Sequence, residues 1–257
     1  MIRPLLQDYL DRSADAQPVA LRARMPADLE TPVSAFLKLR AHGAVFLLES
    51  VEQGVQVGRY SFIGLRPRTT MKLQDEVVTV TRRQGEQAVR EQRPVDPDDP
   101  LAILRRELER QPRIGDPEHR LPLPLGGAVG YLGYDLVRDF DGIPLPPTDA
   151  HALPDWHFVV PSLLAVFDHV KSEIELVALP GGGDPRREHA CGCAKIDRLL
   201  AALRQPLPAD AQRPLPAADG CREPDLRANL SRDEFEHRVR RAKAYILAGD
   251  AFQIVLS

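Results

Sequence analysis

Residues 44–81 read AVFLLESVEQGVQVGRYSFIGLRPRTTMKLQDEVVTVT, and the fold follows from how this stretch is punctuated. AVFLLES, residues 44–50, is an apolar run of strand length, Gln53-Gly54 turns the chain, and RYSFIGL, residues 59–65, is a second strand. Residues 69–73 make a third. EVVTVT, residues 76–81, alternates at period two, the pattern of a half-exposed strand. Parallel neighbours need crossovers of about a dozen residues or more, and these connections are shorter. An antiparallel meander is predicted.

Helices flank it. Thr31-Pro32 is a helix start, with Thr31 as cap and proline in the first turn, where its missing N–H costs nothing. Val33, Phe36, Leu37 and Leu39 supply the apolar face, and His42-Gly43 ends the helix. Asp99-Pro100 repeats the start signal, with Leu101, Leu104 and Leu108 turned inward. Asp184 caps a third helix, Pro185–Leu203, whose stripe is Cys193, Ile196, Leu199, Leu200 and Leu203. Residues 1–25 are read as a short helix and an extended lead-in, and Trp156–Val170 with Ile174–Leu179 as two strands of a hairpin. Strand groups with separate helices predict an α+β protein, antiparallel sheets flanked by helices, rather than βαβ units. Residues 205–225 carry proline, alanine and charge without periodicity and read as a linker between a domain at 1–204 and a segment at 226–257.

Composition removes several function classes. The chain of 257 residues is 43% hydrophobic and 28% charged, with net charge −3. No basic stripe with interleaved aromatics is present, so no nucleic-acid partner is expected. No run of 18 apolar residues occurs, so no membrane span is expected. The start, MIRPLLQDYLDRSADA, lacks the apolar core of a secretory signal, and the expectation is cytoplasmic. Cys191, Cys193 and Cys221 are too few and too odd in number for a disulfide framework. On a helix, residues two apart diverge, so Cys191 and Cys193 do not share a metal and read as buried or semi-buried thiols.

Few residues offer chemistry by themselves. GGAVGYLG, residues 126–133, is neither a dinucleotide nor a Walker pattern; its glycines are read as letting two backbones pass closely. Glu49 and Ser50 end an apolar strand. A carboxylate there needs water or a cation. Either Arg59 or a neighbouring arginine pairs with it, or it is aimed at the ammonium group of a ligand, with Ser50 as a second contact. Asp168 and His169 are adjacent, so on a strand they point to opposite faces and cannot form a dyad.

SRDEFEHRVRRAKAYILA, residues 231–248, reads as a capped amphipathic helix, Gly249-Asp250 as a turn, and AFQIVLS, residues 251–257, as a buried strand without pairing partners. The chain is therefore expected to be the front part of a larger protein. Gln253 lies on that strand, and a buried amide must satisfy two donors and an acceptor, from backbone or from a polar site.

ETPVSAFLKLR, FLLESVEQG, GRYSFIGLRP, GGAVGYLGYD, LPDWHFVVPSLLAVFDH and KAYILAGDAFQIVLS together resemble component I, the large subunit, of anthranilate synthase, from about residue 20 onward. The resemblance implies an enzyme that takes chorismate and ammonia to anthranilate and pyruvate with Mg²⁺, a glutamine amidotransferase partner, and feedback inhibition by tryptophan. It implies a regulatory-type N-terminal domain over residues 1–204 and the start of a chorismate-binding domain at 226–257. The LLES match implies a tryptophan site at Leu48, Glu49 and Ser50, with Arg59, Tyr60 and Ser61 nearby. At the position of Gln253 the water-adding relatives carry a lysine base; glutamine cannot take a proton from water, which favours the amine-adding branch. The magnesium glutamates and catalytic histidine of the family are not among these residues, so this chain alone is expected to be inactive. Component I of 4-amino-4-deoxychorismate synthase, or a non-catalytic module that senses tryptophan or docks a partner, are the alternatives.

Overall fold

In chain order the elements are α1 (Leu6–Ala14), β1 (Leu21–Pro26), α2 (Pro32–Leu39), β2 (Ala44–Glu49), β3 (Tyr60–Leu65), β4 (Thr69–Gln74), β5 (Val77–Gln84), β6 (Gln87–Pro94), α3 (Ala102–Glu109), β7 (Val129–Leu132), α4 (Val137–Asp141), β8 (Trp156–Val160), β9 (Leu163–Asp168), β10 (Glu173–Ala178), α5 (Pro185–Leu203) and α6 (Arg232–Ala248). They belong to a computed structural model that describes residues 1–14, 18–49, 58–85, 87–112, 114, 127–141, 153–212 and 228–256. The chain divides into two compact units, Met1–Gln212 and Arg213–Ser257.

The first unit holds two five-stranded antiparallel sheets, ordered β1-β10-β9-β3-β2 and β6-β5-β4-β8-β7. This is the α+β arrangement the sequence predicts. The sheets share a ribbon of two long strands. β3 pairs with β9 in the first sheet, the chains cross at Arg66–Arg68 and at Pro161-Ser162, and β4 pairs with β8 in the second. The Ser162 hydroxyl donates to the Arg66 carbonyl at 2.7 Å, and the half-buried Arg68 guanidinium donates to the carbonyls of Leu179 and Pro180, pinning the crossing.

One face of the first sheet, with Ile63, Leu65, Ala165, Phe167, Ile174 and Leu176, packs on α1, α2 and α5. Tyr9, Ala35, Leu39, Ile196 and Leu199 answer from the helices. The second sheet packs Met71, Leu73, Val78, Val80 and Trp156 against Leu104 of α3 and Leu136. Its polar support is Glu107 on α3, which is buried and accepts from Arg82 at 2.6 and 2.9 Å and from Arg110 at 2.7 Å.

The caps follow the sequence. Thr31 and Ser34 form a reciprocal capping box, Asp184 accepts from the Arg187 amide at 2.9 Å, and Ser231 accepts from the Glu234 amide at 3.3 Å. Gly43 and Gly249 close their helices in the left-handed conformation.

Other expectations are corrected. Trp156–Val170 is not one strand: Pro161 has no N–H to donate, and β8 and β9 on either side of it enter different sheets. Val33 is exposed, and Ala35 with Leu39 forms the core face of α2. α3 starts at Ala102 with Leu101, which has no side-chain acceptor, at the N-cap position; Asp99 lies two residues earlier and pairs with Arg105. β5 is more buried than a half-exposed strand, since Val78, Thr79 and Val80 are all buried. Strand β6 has no apolar alternation to announce it; it is a charged, largely exposed edge.

The second unit contains α6, none of whose residues is buried. Residues 251–256 form no strand, and Phe252 and Gln253 are exposed. Among the described residues no strand pairs with them. Ser50, Gln53, Gly54, Gly126, Cys221 and most of the 205–225 linker lie outside the described residues.

Candidate functional site

The end of the β2–β3–β9 ribbon gathers most of the residues singled out in the sequence. Glu49 stands directly opposite Ser61, and Ser61 opposite Phe167; one position on, Leu48 stands opposite Phe62, and Tyr60 opposite Asp168. Alternation along the strands therefore puts Glu49 and Ser61 on the face that carries Leu47, Ile63 and Phe167, and puts Leu48 and Tyr60 on the other. Leu48 and Glu49 are exposed, Tyr60 is half-buried and Ser61 is buried. Ser50 lies outside the described residues.

Arg59 does not pair with Glu49. Its guanidinium meets Asp168 at 3.0 Å and lies over the Tyr60 ring, 4.9 Å from the centroid. Asp168 also accepts from the amides of Val170 and Lys171, at 3.1 and 3.2 Å, which closes the turn into β10. Burial pushes the Asp168 carboxyl up, but the Arg59 hydrogen bond, the turn amides and the Arg59 charge together hold it below its ordinary value. Glu49 forms no ion pair among the described residues. Glu49 is an exposed carboxylate on an edge strand, opposite a buried hydroxyl, while the Arg59 guanidinium is engaged by Asp168.

His169, which the sequence offers only as a neighbour of Asp168, lies at the same strand end. Its Nε2 lies 2.8 Å from Ser61 Oγ, and its ring stacks on Phe167 at 25°. Asp168 and His169 do point to opposite faces, as alternation requires. The partner is 108 positions away in sequence, so only the β3–β9 register reveals it.

The remaining candidates separate from this place. Gln253 is exposed in the second unit and is neither buried nor on a strand. In the glycine-rich segment, a Cβ on Gly130 would stand 2.0 Å from the His157 carbonyl oxygen, so glycine there serves the close pairing of β7 with β8. His157 has a buried Nε2 with no hydrogen-bond partner among the described residues, and burial, helped by the nearby Lys72 charge, pushes its pKa down. Cys191 is exposed rather than buried, and half-buried Cys193 lies 3.8 Å from His189. Burial, then Asp197, raises the Cys193 thiol, which makes it a poor nucleophile. A cleft of about 280 Å³ between β5, β6 and α3, over Val78, Ile103 and Arg106, shares no residue with the ribbon end. Among the described residues no group of three His, Cys, Asp or Glu side chains is placed to hold a metal.

The pattern described as chorismate binding enzyme matches residues 44–257. The chain belongs to the family of chorismate-binding enzymes. This family member is 42% identical over 239 residues to anthranilate synthase component 1 of Thermus thermophilus, covering 90% of this chain and 45% of that protein. It is 37% identical over 256 residues to the protein of the same name from Pseudomonas aeruginosa, covering 98% of this chain and 50% of that one. The chain spans about half the length of these curated relatives. The crystal structure of anthranilate synthase component I from Streptococcus pneumoniae superposes with a TM-score of 0.51 at 24% identity, over 89% of this chain and 46% of that one, which shows a shared fold. No helix among the described residues is long and apolar enough to cross a membrane.

Proposed function

We propose that this chorismate-binding enzyme is component I of anthranilate synthase, a carbon–oxygen lyase that takes chorismate and ammonia to anthranilate and pyruvate. Its first unit serves as the regulatory domain, and the β2–β3–β9 ribbon end takes tryptophan as feedback inhibitor. The observation that carries the effector reading is Glu49: an exposed carboxylate at an edge, opposite Ser61, with Arg59 committed to Asp168. An α-ammonium group supplies the cation that such a carboxylate lacks. Leu48, Glu49, Ser50, Arg59, Tyr60 and Ser61 are assigned to this site. The chorismate assignment rests on the family match and on the names of the relatives.

Gln253 is assigned to the chemistry as a neutral hydrogen-bond partner; it does not act as a base. A glutamine amidotransferase supplies the ammonia, and the cytoplasm is the compartment. Mg²⁺ belongs to the proposed reaction, and the described residues offer no cluster of carboxylates or histidines that fits it.

The test is an assay of the full-length gene product with chorismate, ammonium and Mg²⁺, following anthranilate fluorescence and pyruvate. Anthranilate formed and suppressed by tryptophan supports the reading. Release of another aminated product, or no response to tryptophan, overturns it.

A further inference from the structure

The cleft of about 280 Å³ between β5, β6 and α3 takes no part in the ribbon-end site. Its floor is Val78, 1% exposed, and its walls are Val95, Pro100 and Ile103. Water in an apolar hollow lacks hydrogen-bond partners, so a body of carbon is favoured there over solvent. The walls are held by hydrogen bonds of their own. The Trp156 indole donates to the Pro100 carbonyl at 3.2 Å, the Val95 amide to the Glu76 carbonyl at 2.8 Å, and the Asp99 amide to the Asp96 carbonyl at 3.2 Å. The space is therefore formed before a ligand arrives, which spares the ordering cost of binding.

Charge at the rim selects the ligand. Ile103 and Arg106 are one turn apart on α3, so the guanidinium stands beside the aliphatic wall. The other charged side chains lining the cleft are engaged: Arg93 pairs with Glu91, Asp99 with Arg105, and Asp96 accepts from the Asp98 amide at 3.1 Å. Glu107, the next residue along α3, is taken by Arg82 and Arg110. Arg106 itself is exposed and has no ion pair among the described residues. An uncommitted guanidinium over an aliphatic hollow suits a carboxylate joined to an apolar body. The volume lies at the lower end for small-molecule sites, which limits that body to one ring or a short branched chain. An extended peptide fits less well, because the neighbouring edge β6 carries Arg90, Glu91 and Arg93, and a charged edge resists strand addition.

We infer that this cleft is a small-molecule site for a monocarboxylate with a single-ring or short branched apolar body, its carboxylate held by Arg106. The site is independent of the effector site at the ribbon end.

The test is a titration of the full-length gene product, isotope-labelled at its isoleucine and valine methyls, with benzoate, isovalerate, benzyl alcohol and benzylamine. Benzoate or isovalerate shifts the methyl resonances of Val78, Val95 and Ile103 with a millimolar Kd, and the tighter of the two identifies the body; benzyl alcohol binds about tenfold more weakly and benzylamine not at all. Arg106→Gln, at an exposed position, brings the acids down about tenfold to the level of benzyl alcohol, and Arg106→Lys recovers part of the loss. Ile103→Trp fills the hollow and abolishes binding of both acids. Should that variant not fold, Arg106→Gln alone decides. Undiminished affinity in Arg106→Gln, benzylamine binding as tightly as the acids, or shifts confined to other methyls overturns the inference. Silence of the three methyls toward both acids overturns it as well; if Arg106→Gln then weakens capture of an amidotransferase, the cleft belongs to a protein contact instead.

Discussion

The two sheets have five strands each, yet they are stabilised differently. The first lies under three helices, and its buried cluster draws on α1, α2 and α5 as well as four of its strands. The second has a cluster less than half that size among the described residues, centred on Trp156, with α3 as its main helical cover. It compensates with polar struts: Glu107 between Arg82 and Arg110, and the Trp156 indole donating to the Pro100 carbonyl at 3.2 Å. A broad core spreads the cost of losing one side chain. A narrow one concentrates it, so the second sheet is the more sensitive to single substitutions.

Trp156→Ala is the strongest test of that contrast. The side chain is fully buried at the centre of the smaller cluster, and its loss is expected to cost about 3–5 kcal/mol in urea unfolding. Glu107→Ala comes next, at about 2–3 kcal/mol, below a fully buried pair because Arg82 keeps Glu91 and part of its hydration. Chromatographic homogeneity with an unchanged urea midpoint in either variant would erase the distinction between the sheets. In the first sheet, Gly64→Ala would set a Cβ 2.0 Å from Phe46 and is expected to cost about 1–3 kcal/mol. A second change, Phe46→Leu, should return part of it, since the obstacle is a side chain and not backbone. The smallest effect is electrostatic and belongs to the second sheet. His157 is held below its ordinary pKa by burial and by Lys72, so the unfolded chain binds its proton first. Its contribution is intact above the ordinary histidine value and is lost as pH falls from there through the lowered folded value. His157→Phe should flatten thermal stability against pH across that acid window, whereas wild type declines.

Much of this architecture is legible in the sequence because the signals are local. Thr31-Pro32, Asp184-Pro185 and the Ser231 to Gly249 pair each announce a helix end within a few residues. The β2 to β5 strands declare themselves by apolar runs and short turns. Strand β6 does not, since an edge with both faces wet needs no alternation. The break at Pro161 is visible as a proline, but that it separates two sheets depends on pairing with β3 and β4, a non-local fact. Residues 251–256 have strand composition, yet composition forms no ladder without a neighbour. The site divides in the same way. Glu49 and Ser61 stand out through a resemblance of segments, while His169 joins them only through register across the chain.

The crossing ribbon has one more implication. Because β3 continues into β4 and β9 follows β8, a one-residue slip in either pairing drags the other with it. Such an error would turn the inward rows of both layers outward at once, exposing Ile63 and Phe167 together with Met71 and Trp156. Misalignment is thus penalised twice over for a single mistake, and a chain assembling from either end is driven toward one common alignment.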